Sequence, residues 1–187
     1  TVNKNDRQEP SDCDLMMLVK AGDQQAFAVL IARHQGHLLN FFRRMGVYNE
    51  AEDLVQETLV RLFKYRRRYR PSAKFTTLLY TGARHTWIDW LRKLKRKDDF
   101  VERYTLDTEI TNDGRMGRKQ AMMDAQAALG RLTEKLRVVV VMSLYQGMKY
   151  DEIAGALGVP EGTVKSRMFT ALSRLKEVMD GNETGWK

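Results

Sequence analysis

Proline occurs at only three positions, Pro10, Pro71 and Pro160, and this scarcity is the strongest constraint on what the chain can fold into. A proline inside a helix removes a backbone donor and clashes with the preceding turn. Each of the three falls where one helical pattern gives way to another, and apolar residues recur at helical spacing in nearly every segment between them. The sequence therefore predicts an all-α protein.

The first helix is predicted to start near Ser11, with Leu15, Leu18 and Val19 on one face, and to stop at Gly22. Asp23 is placed to cap a second helix, whose stripe is Phe27, Leu30, Ile31, His34, Leu38, Phe41 and Phe42, ending near Gly46. A third helix is expected to open at Asn49, with Glu52 three residues on completing a capping-box-like pair. Val55, Leu59, Leu62 and Phe63 face inward, while Asp53, Gln56, Glu57 and Arg61 share the opposite, polar stripe. Beyond the loop around Pro71, a fourth helix over about 74–96 has Phe75, Leu78, Leu79, Ala83, Trp87, Trp90, Leu91 and Leu94 as its apolar stripe. Arg84, His85, Asp89, Arg92, Lys93 and Arg96 remain outside.

Charge divides the chain. Lys and Arg total 32 against 24 Asp and Glu, with a pI of about 9.6, which points to a polyanionic partner such as nucleic acid or anionic lipid. Between Arg61 and Lys97 there are thirteen Lys or Arg and one acid, Asp89, whereas from Asp98 to Gly114 six acids oppose Arg103 alone. In the basic segment Tyr65, Tyr69, Phe75, Tyr80, Trp87 and Trp90 interleave with the cations. Positive charge holds phosphates and exposed rings stack unpaired bases, while the apolar stripe claims Trp87 and Trp90 for the core. Residues 98–120 lose the apolar period and contain Gly114 and Gly117. They read as a flexible linker between two small helical domains, 11–97 and 121–181.

The lone cysteine, Cys13, rules out an intramolecular disulfide framework and a cysteine-based structural zinc site, and suits a reducing compartment. His34 and His37 lack a third ligand at a convincing spacing, so no metal and no cofactor is expected. No run approaches eighteen apolar residues, and the polar start Thr1 to Pro10 does not read as a signal peptide. The expectation is a cytoplasmic protein without direct membrane insertion.

In the second domain Val138 to Val141 favour a strand by propensity, but Leu129, Leu132, Leu136, Val139, Val140 and Leu144 fit a helical face around them. The strongest local signal is YDEIAGALGVPEGTVKSR, Tyr150 to Arg167: a helix, a tight turn at Gly158, and a second helix entered at Pro160. Ile153, Ala154, Leu157, Val159 and Val164 form its small core. In the second helix Val164, Met168, Ala171, Leu172, Leu175 and Met179 turn inward. Thr163, Lys165, Ser166, Arg167, Phe169, Thr170 and Arg174 are the candidate DNA contacts, since such a helix fits the major groove and Arg or Lys reaches guanine edges.

In order, these motifs resemble the extracytoplasmic-function sigma factors of bacterial RNA polymerase, over about Asp14 to Met179. AGDQQAF at 21–27 resembles the family's first conserved region, and AEDLVQETLVRLF at 51–63 its polymerase-binding helix. KFTTLLYTGARHTWIDWLRK at 74–93 resembles the helix that melts and reads the minus-10 element, and the helix-turn-helix resembles the minus-35 reader. The resemblance implies that Asp53, Gln56 and Glu57 engage the clamp helices of core polymerase. It implies minus-10 DNA contact by Tyr65, Tyr69, Arg70, Phe75, Arg84, His85, Arg92, Lys93 and Arg96, with one base captured beside the Pro71 loop. The partners implied are RNA polymerase core, double-stranded and melted promoter DNA, and an anti-sigma factor. Three positions depart from the family pattern: Leu78 where a tryptophan is frequent, His85 where a base-contacting asparagine is common, and Lys149 where a Ser or Thr usually caps the first motif helix.

Two other classes compete. A stand-alone helix-turn-helix regulator would explain residues 150–179 but leave the polar DLVQE face and the basic aromatic segment without a purpose. A metal-dependent nuclease could use Asp53, Glu57, His85 or Asp89, yet only Asp53 and Glu57 share a defined spacing and no nucleophile with a base is apparent. No catalytic residue is assigned.

Overall fold

A computed structural model of the protein describes residues 9–71, 74–101 and 125–179. Helix α1 (Asp12–Ala21) starts where Ser11 accepts from the Asp14 amide at 3.2 Å while the Asp14 carboxylate accepts from the Ser11 amide, a full capping box. It stops at Gly22, whose φ of 108° is costly for any side-chain-bearing residue. Asp23 then caps α2 (Gln24–Arg44) by accepting from the amides of Gln25 and Ala26. Helix α3 (Ala51–Tyr65) follows, then a 3₁₀ turn (Arg66–Arg68) and α4 (Phe75–Val101). Helix α4 runs four residues into the segment read as a linker; the rest of that segment, 102–120, lies outside the described residues.

The start of α3 differs from expectation. Glu50, not Asn49, occupies the cap position, and no side chain caps the helix. The Leu54 amide already donates to the Glu50 carbonyl at 3.0 Å, so the first turn closes one residue later than the Asn49 and Glu52 pair requires. Glu52 and Asp53 still place negative charge at the positive helix end.

In the second half, residues 125–130 form helix α5, and α6 (Glu134–Val140) passes into a π turn (Val141–Tyr145). Helices α7 (Tyr150–Leu157) and α8 (Glu161–Met179) complete the chain. Val138, Val139, Val140 and Val141 are all buried: a helix surrounded by core tolerates β-branched residues on every side, and burial overrides their strand propensity. There is no strand among the described residues.

One apolar core runs through both halves, from Leu15 and Phe41 through Leu79 and Trp87 to Val139, Ile153 and Val164. Helix α4 packs on α3 on one side and on α7 on the other. The stripes read from the sequence are slightly too wide, since Leu18, Leu94, Leu144 and Leu172 are exposed. Each sits at the margin of its stripe, where the helix surface turns away from its neighbour.

Arg137 secures α6 to what precedes it. Its guanidinium donates to the carbonyls of Leu129 and Gly130 at 2.8 Å each and of Leu132 at 3.1 Å, satisfying orphan acceptors at the end of α5. A further bond, 3.3 Å to the Met45 carbonyl, reaches the first half of the chain.

Candidate nucleic-acid interface

The polar face of α3 is built by spacing alone: Asp53, Gln56 and Glu57 follow at three and four residues and so lie on one side. Asp53 and Gln56 are exposed. Glu57 has a second duty, because Arg61 donates to it at 2.6 Å and to Asp89 of α4 at 2.8 Å. The cluster is thus partly a strut between α3 and α4, a role the helical pattern did not reveal. The same strut accounts for the carboxylates that a nuclease would need, since Glu57 and Asp89 both face a guanidinium. Arg61 holds the Asp89 carboxyl below the ordinary carboxylate range, against burial that raises it and with Arg92 and His85 assisting.

Between the 3₁₀ turn and the start of α4 lies a cleft of about 450 Å³, lined by Tyr65, Arg68, Arg70, Lys74, Leu78 and Thr81 among others. Its rim is cationic and its floor mixed, with the half-exposed Tyr65 ring (43%) at one side. Two rings assigned to DNA contact are buried, Tyr69 in the lining of this cleft and Phe75 outside it. Tyr69 is 2% and Phe75 3% exposed, so both belong to the core beneath the cleft. Burial pushes the Tyr69 phenol well above its usual range, and its carbonyl accepts from Lys20 Nζ at 2.8 Å, pinning the loop to α1. Phe75 contacts the His34 ring at 5.1 Å between centroids, and His34 Nε2 lies 2.7 Å from the Asp12 carboxylate; these contacts give His34 a structural setting.

Further along α4, Arg84, His85, Asp89 and Arg92 surround a second depression with Arg61 and Ile88. Lys93 and Arg96 are exposed beyond it. Trp87 is buried and Trp90 half-buried against the core. Lys74 and Arg68 were counted in the basic segment but not singled out by the sequence reading. Their signal was position, on either side of Pro71.

The second surface is α8. The turn before it relies on Gly158 at φ 65°, and the Pro160 carbonyl accepts from Thr163 and Val164 to start the helix. Before α7, Lys149 supplies no side-chain cap, but its amide donates to Glu152 Oε2 at 2.9 Å, so half of a capping box survives. Val164, Met168 and Ala171 are buried, which turns Lys165, Ser166, Phe169 and Thr170 to the surface, with Thr163, Arg167 and Arg174 half-buried beside them. Ser166 and Thr170 each donate to a carbonyl one turn back, leaving their oxygens free to accept. Lys165 pairs with Glu161 at 2.8 Å. Phe169 is 76% exposed, a large apolar ring in the middle of a polar face.

The fold is helical in two parts, with a basic, ring-bearing cleft in one half and a helix-turn-helix whose second helix is open in the other, an arrangement that suits a nucleic-acid-binding class. Residues 30–97 match the Sigma-70 region 2 family and residues 122–175 the Sigma-70, region 4 family. The extracytoplasmic-function RNA polymerase sigma factor SigE of Mycolicibacterium smegmatis is 30% identical over 186 residues, covering 91% of this chain and 70% of that protein. SigW of Bacillus subtilis is 29% identical over 172 residues, covering 85% and 91%. In structure the chain resembles CnrH, solved with the cytosolic domain of CnrY, with a TM-score of 0.73 at 23% identity over 93% of this chain and 100% of that one. It also resembles the sigma factor RpoE of Bartonella quintana, solved with the anti-sigma factor NepR, at 0.70 and 23% over 84% and 98%.

The chain belongs to the extracytoplasmic-function RNA polymerase sigma factors. The region 2 match covers the part that a stand-alone regulator would leave unexplained. Among the described residues no helix is long and apolar enough to cross a membrane.

Proposed function

We propose that this chain works in the cytoplasm as a non-catalytic specificity subunit of RNA polymerase, with residues 11–97 acting on the minus-10 region and residues 121–181 on the minus-35 element. The observation that supports the reading is the presence of two chemically different polar surfaces in one chain. The cleft beside Pro71 combines cations with the Tyr65 ring, which suits an unpaired strand. Helix α8 offers Arg167, Lys165 and two hydroxyl acceptors on a convex face, which suits a major groove.

Tyr65, Arg70, Arg84, His85, Arg92, Lys93 and Arg96 contact the opened strand and its adjoining duplex, while Tyr69 and Phe75 support the cleft from below. On α8, Thr163, Lys165, Ser166 and Arg167 meet base edges, Phe169 lies against a thymine methyl, and Thr170 and Arg174 contact phosphate. Asp53, Gln56 and Glu57 engage core polymerase. An anti-sigma factor is a further partner; the structurally similar RpoE was solved in complex with the anti-sigma factor NepR.

Titration of labelled core polymerase tests the polymerase face. Asp53→Ala with Gln56→Ala is expected to weaken binding at least tenfold, about 1.4 kcal/mol, without altering the unfolding midpoint. Adding Glu57→Ala should lower the midpoint as well, because it cuts the Arg61 strut. Unchanged affinity of the double variant would overturn the assignment.

A further inference from the structure

Helix α8 has two different edges beside its outward centre. At about 3.6 residues per turn, Gly162, Ser166 and Phe169 point away from the buried stripe of Val164, Met168 and Ala171. Thr163, Arg167 and Arg174 lie along one edge, half-buried, and Glu161 and Lys165 lie along the other, both exposed. Glu161 is the first residue of α8, in the turn that meets base edges when such a helix enters a major groove. An acid there is repelled by the phosphates on either side of the groove, so its charge must be offset by a neighbour or by a base.

Lys165 is that neighbour. Its Nζ lies 2.8 Å from Glu161 Oε1, with 63% of the lysine and 47% of the glutamate side chain exposed. Glu161 holds the Lys165 ammonium above the ordinary lysine range, chiefly through this hydrogen bond. An ammonium has further donors and a carboxylate further acceptor positions, so the bond between them leaves each free for a second partner. The approach is open as well, because a Cβ at Gly162 would meet nothing within 4 Å.

The major-groove edge of a base pair carries the matching groups. In G·C the guanine O6 accepts from the cytosine N4 amine, and in T·A the thymine O4 accepts from the adenine N6 amine, each at about 2.9 Å. The Glu161–Lys165 pair presents the complementary donor and acceptor at nearly the same spacing. Lys165 donates to the keto oxygen while Glu161 accepts the second hydrogen of the amine, which closes a ring of hydrogen bonds. Guanine adds N7 as another acceptor beside O6, whereas thymine places its methyl group there, so G·C fits better than T·A. With the strands exchanged, the keto oxygen faces the carboxylate and the amine faces the ammonium, and both contacts turn repulsive.

We infer that Glu161 and Lys165 together read one base pair of the upstream element, with a keto base facing Lys165, an amino base facing Glu161, and G·C preferred. The inference rests on the reading of α8 as the minus-35 helix. It makes Glu161 a specificity-determining residue that acts largely by rejecting the wrong pair.

Holoenzyme activity on a randomised minus-35 library, with the minus-10 element held constant, tests it. The wild type should favour G, then T, over C and A at one position by about tenfold. Glu161→Ala and Lys165→Ala should both flatten that same position. They should differ elsewhere: removing the acid relieves repulsion from phosphate and raises activity on poor sites, whereas removing the lysine lowers activity on all. Exchanging the charges, Glu161→Lys with Lys165→Glu, should invert the position to C and A, and it leaves the buried stripe that holds α8 untouched. A pair that only supports the helix would move no base preference. The inference is overturned by a wild-type profile without a keto preference, by an unchanged profile in Glu161→Ala, by effects of the two single variants at different positions, or by a charge exchange that weakens the preference without inverting it. If Arg167→Ala also leaves the whole profile unmoved, it is the proposed function that fails.

Discussion

The two surfaces we assign to DNA are built in opposite ways. Helix α8 buries a narrow stripe, Val164, Met168 and Ala171, and leaves its polar face open, so Lys165, Ser166, Phe169 and Thr170 are at the surface and Thr163, Arg167 and Arg174 half-buried beside them. In the segment from Arg61 to Lys97, the same residues must build a core and present charge. Tyr69, Phe75 and Trp87 go inside, Arg61 is committed to Glu57 and Asp89, and Lys74 to Glu152. A recognition helix at the edge of a domain displays its chemistry in sequence, whereas a helix packed on two sides divides its aromatic and basic residues between structure and function.

The largest effect that could break this contrast concerns the rings. Trp87→Ala should destabilise the fold by about 3–5 kcal/mol, as for other buried aromatic truncations. Tyr65→Ala should stay within about 0.5 kcal/mol, as at an ordinary surface site, yet weaken strand binding by about 1–3 kcal/mol. Urea unfolding and oligonucleotide titration separate the two; equal stability loss would erase the distinction between core and cleft.

Within α8 the contrast sharpens to base against phosphate. Arg167→Ala should flatten preference at defined positions of a randomised minus-35 library, at about 1–3 kcal/mol per contacted pair. Arg174→Ala, two turns on, should lower activity on all sequences alike. A library profile that moves for neither variant would remove α8 as a reader.

The smallest effect is electrostatic. Because the folded Asp89 carboxyl is held below its usual range, its contribution is fully present above about pH 4, the ordinary Asp value, and is lost as pH falls through the depressed folded value. The melting-temperature gap between wild type and Asp89→Asn should therefore narrow as pH drops from 5 toward 2. A constant gap would mean that the Arg61 strut carries no charge-dependent stability.

Most of the fold was legible before the structure. Ser11, Gly22, Asp23 and Gly158 mark helix ends by local chemistry, and Ile153, Leu157 and Val164 mark the helix-turn-helix core by period. What period could not supply was anything requiring a neighbour. The exposure of Leu18, Leu94, Leu144 and Leu172, the burial of Tyr69, and the reach of Arg137 to four carbonyls all depend on which helix lies opposite. The packing of α7 on α4 was likewise silent, because Gly155 and Thr77 look unremarkable until they are placed 78 residues apart in sequence and side by side in space.

Permanganate footprinting of a cognate promoter with reconstituted holoenzyme tests the central claim most directly. The wild type should make thymines near minus-10 reactive. Tyr65→Ala with Arg68→Ala and Arg70→Ala should abolish that reactivity while core binding and minus-35 protection persist. Full thymine reactivity in the triple variant would contradict the assignment of the Pro71 cleft to the opened strand.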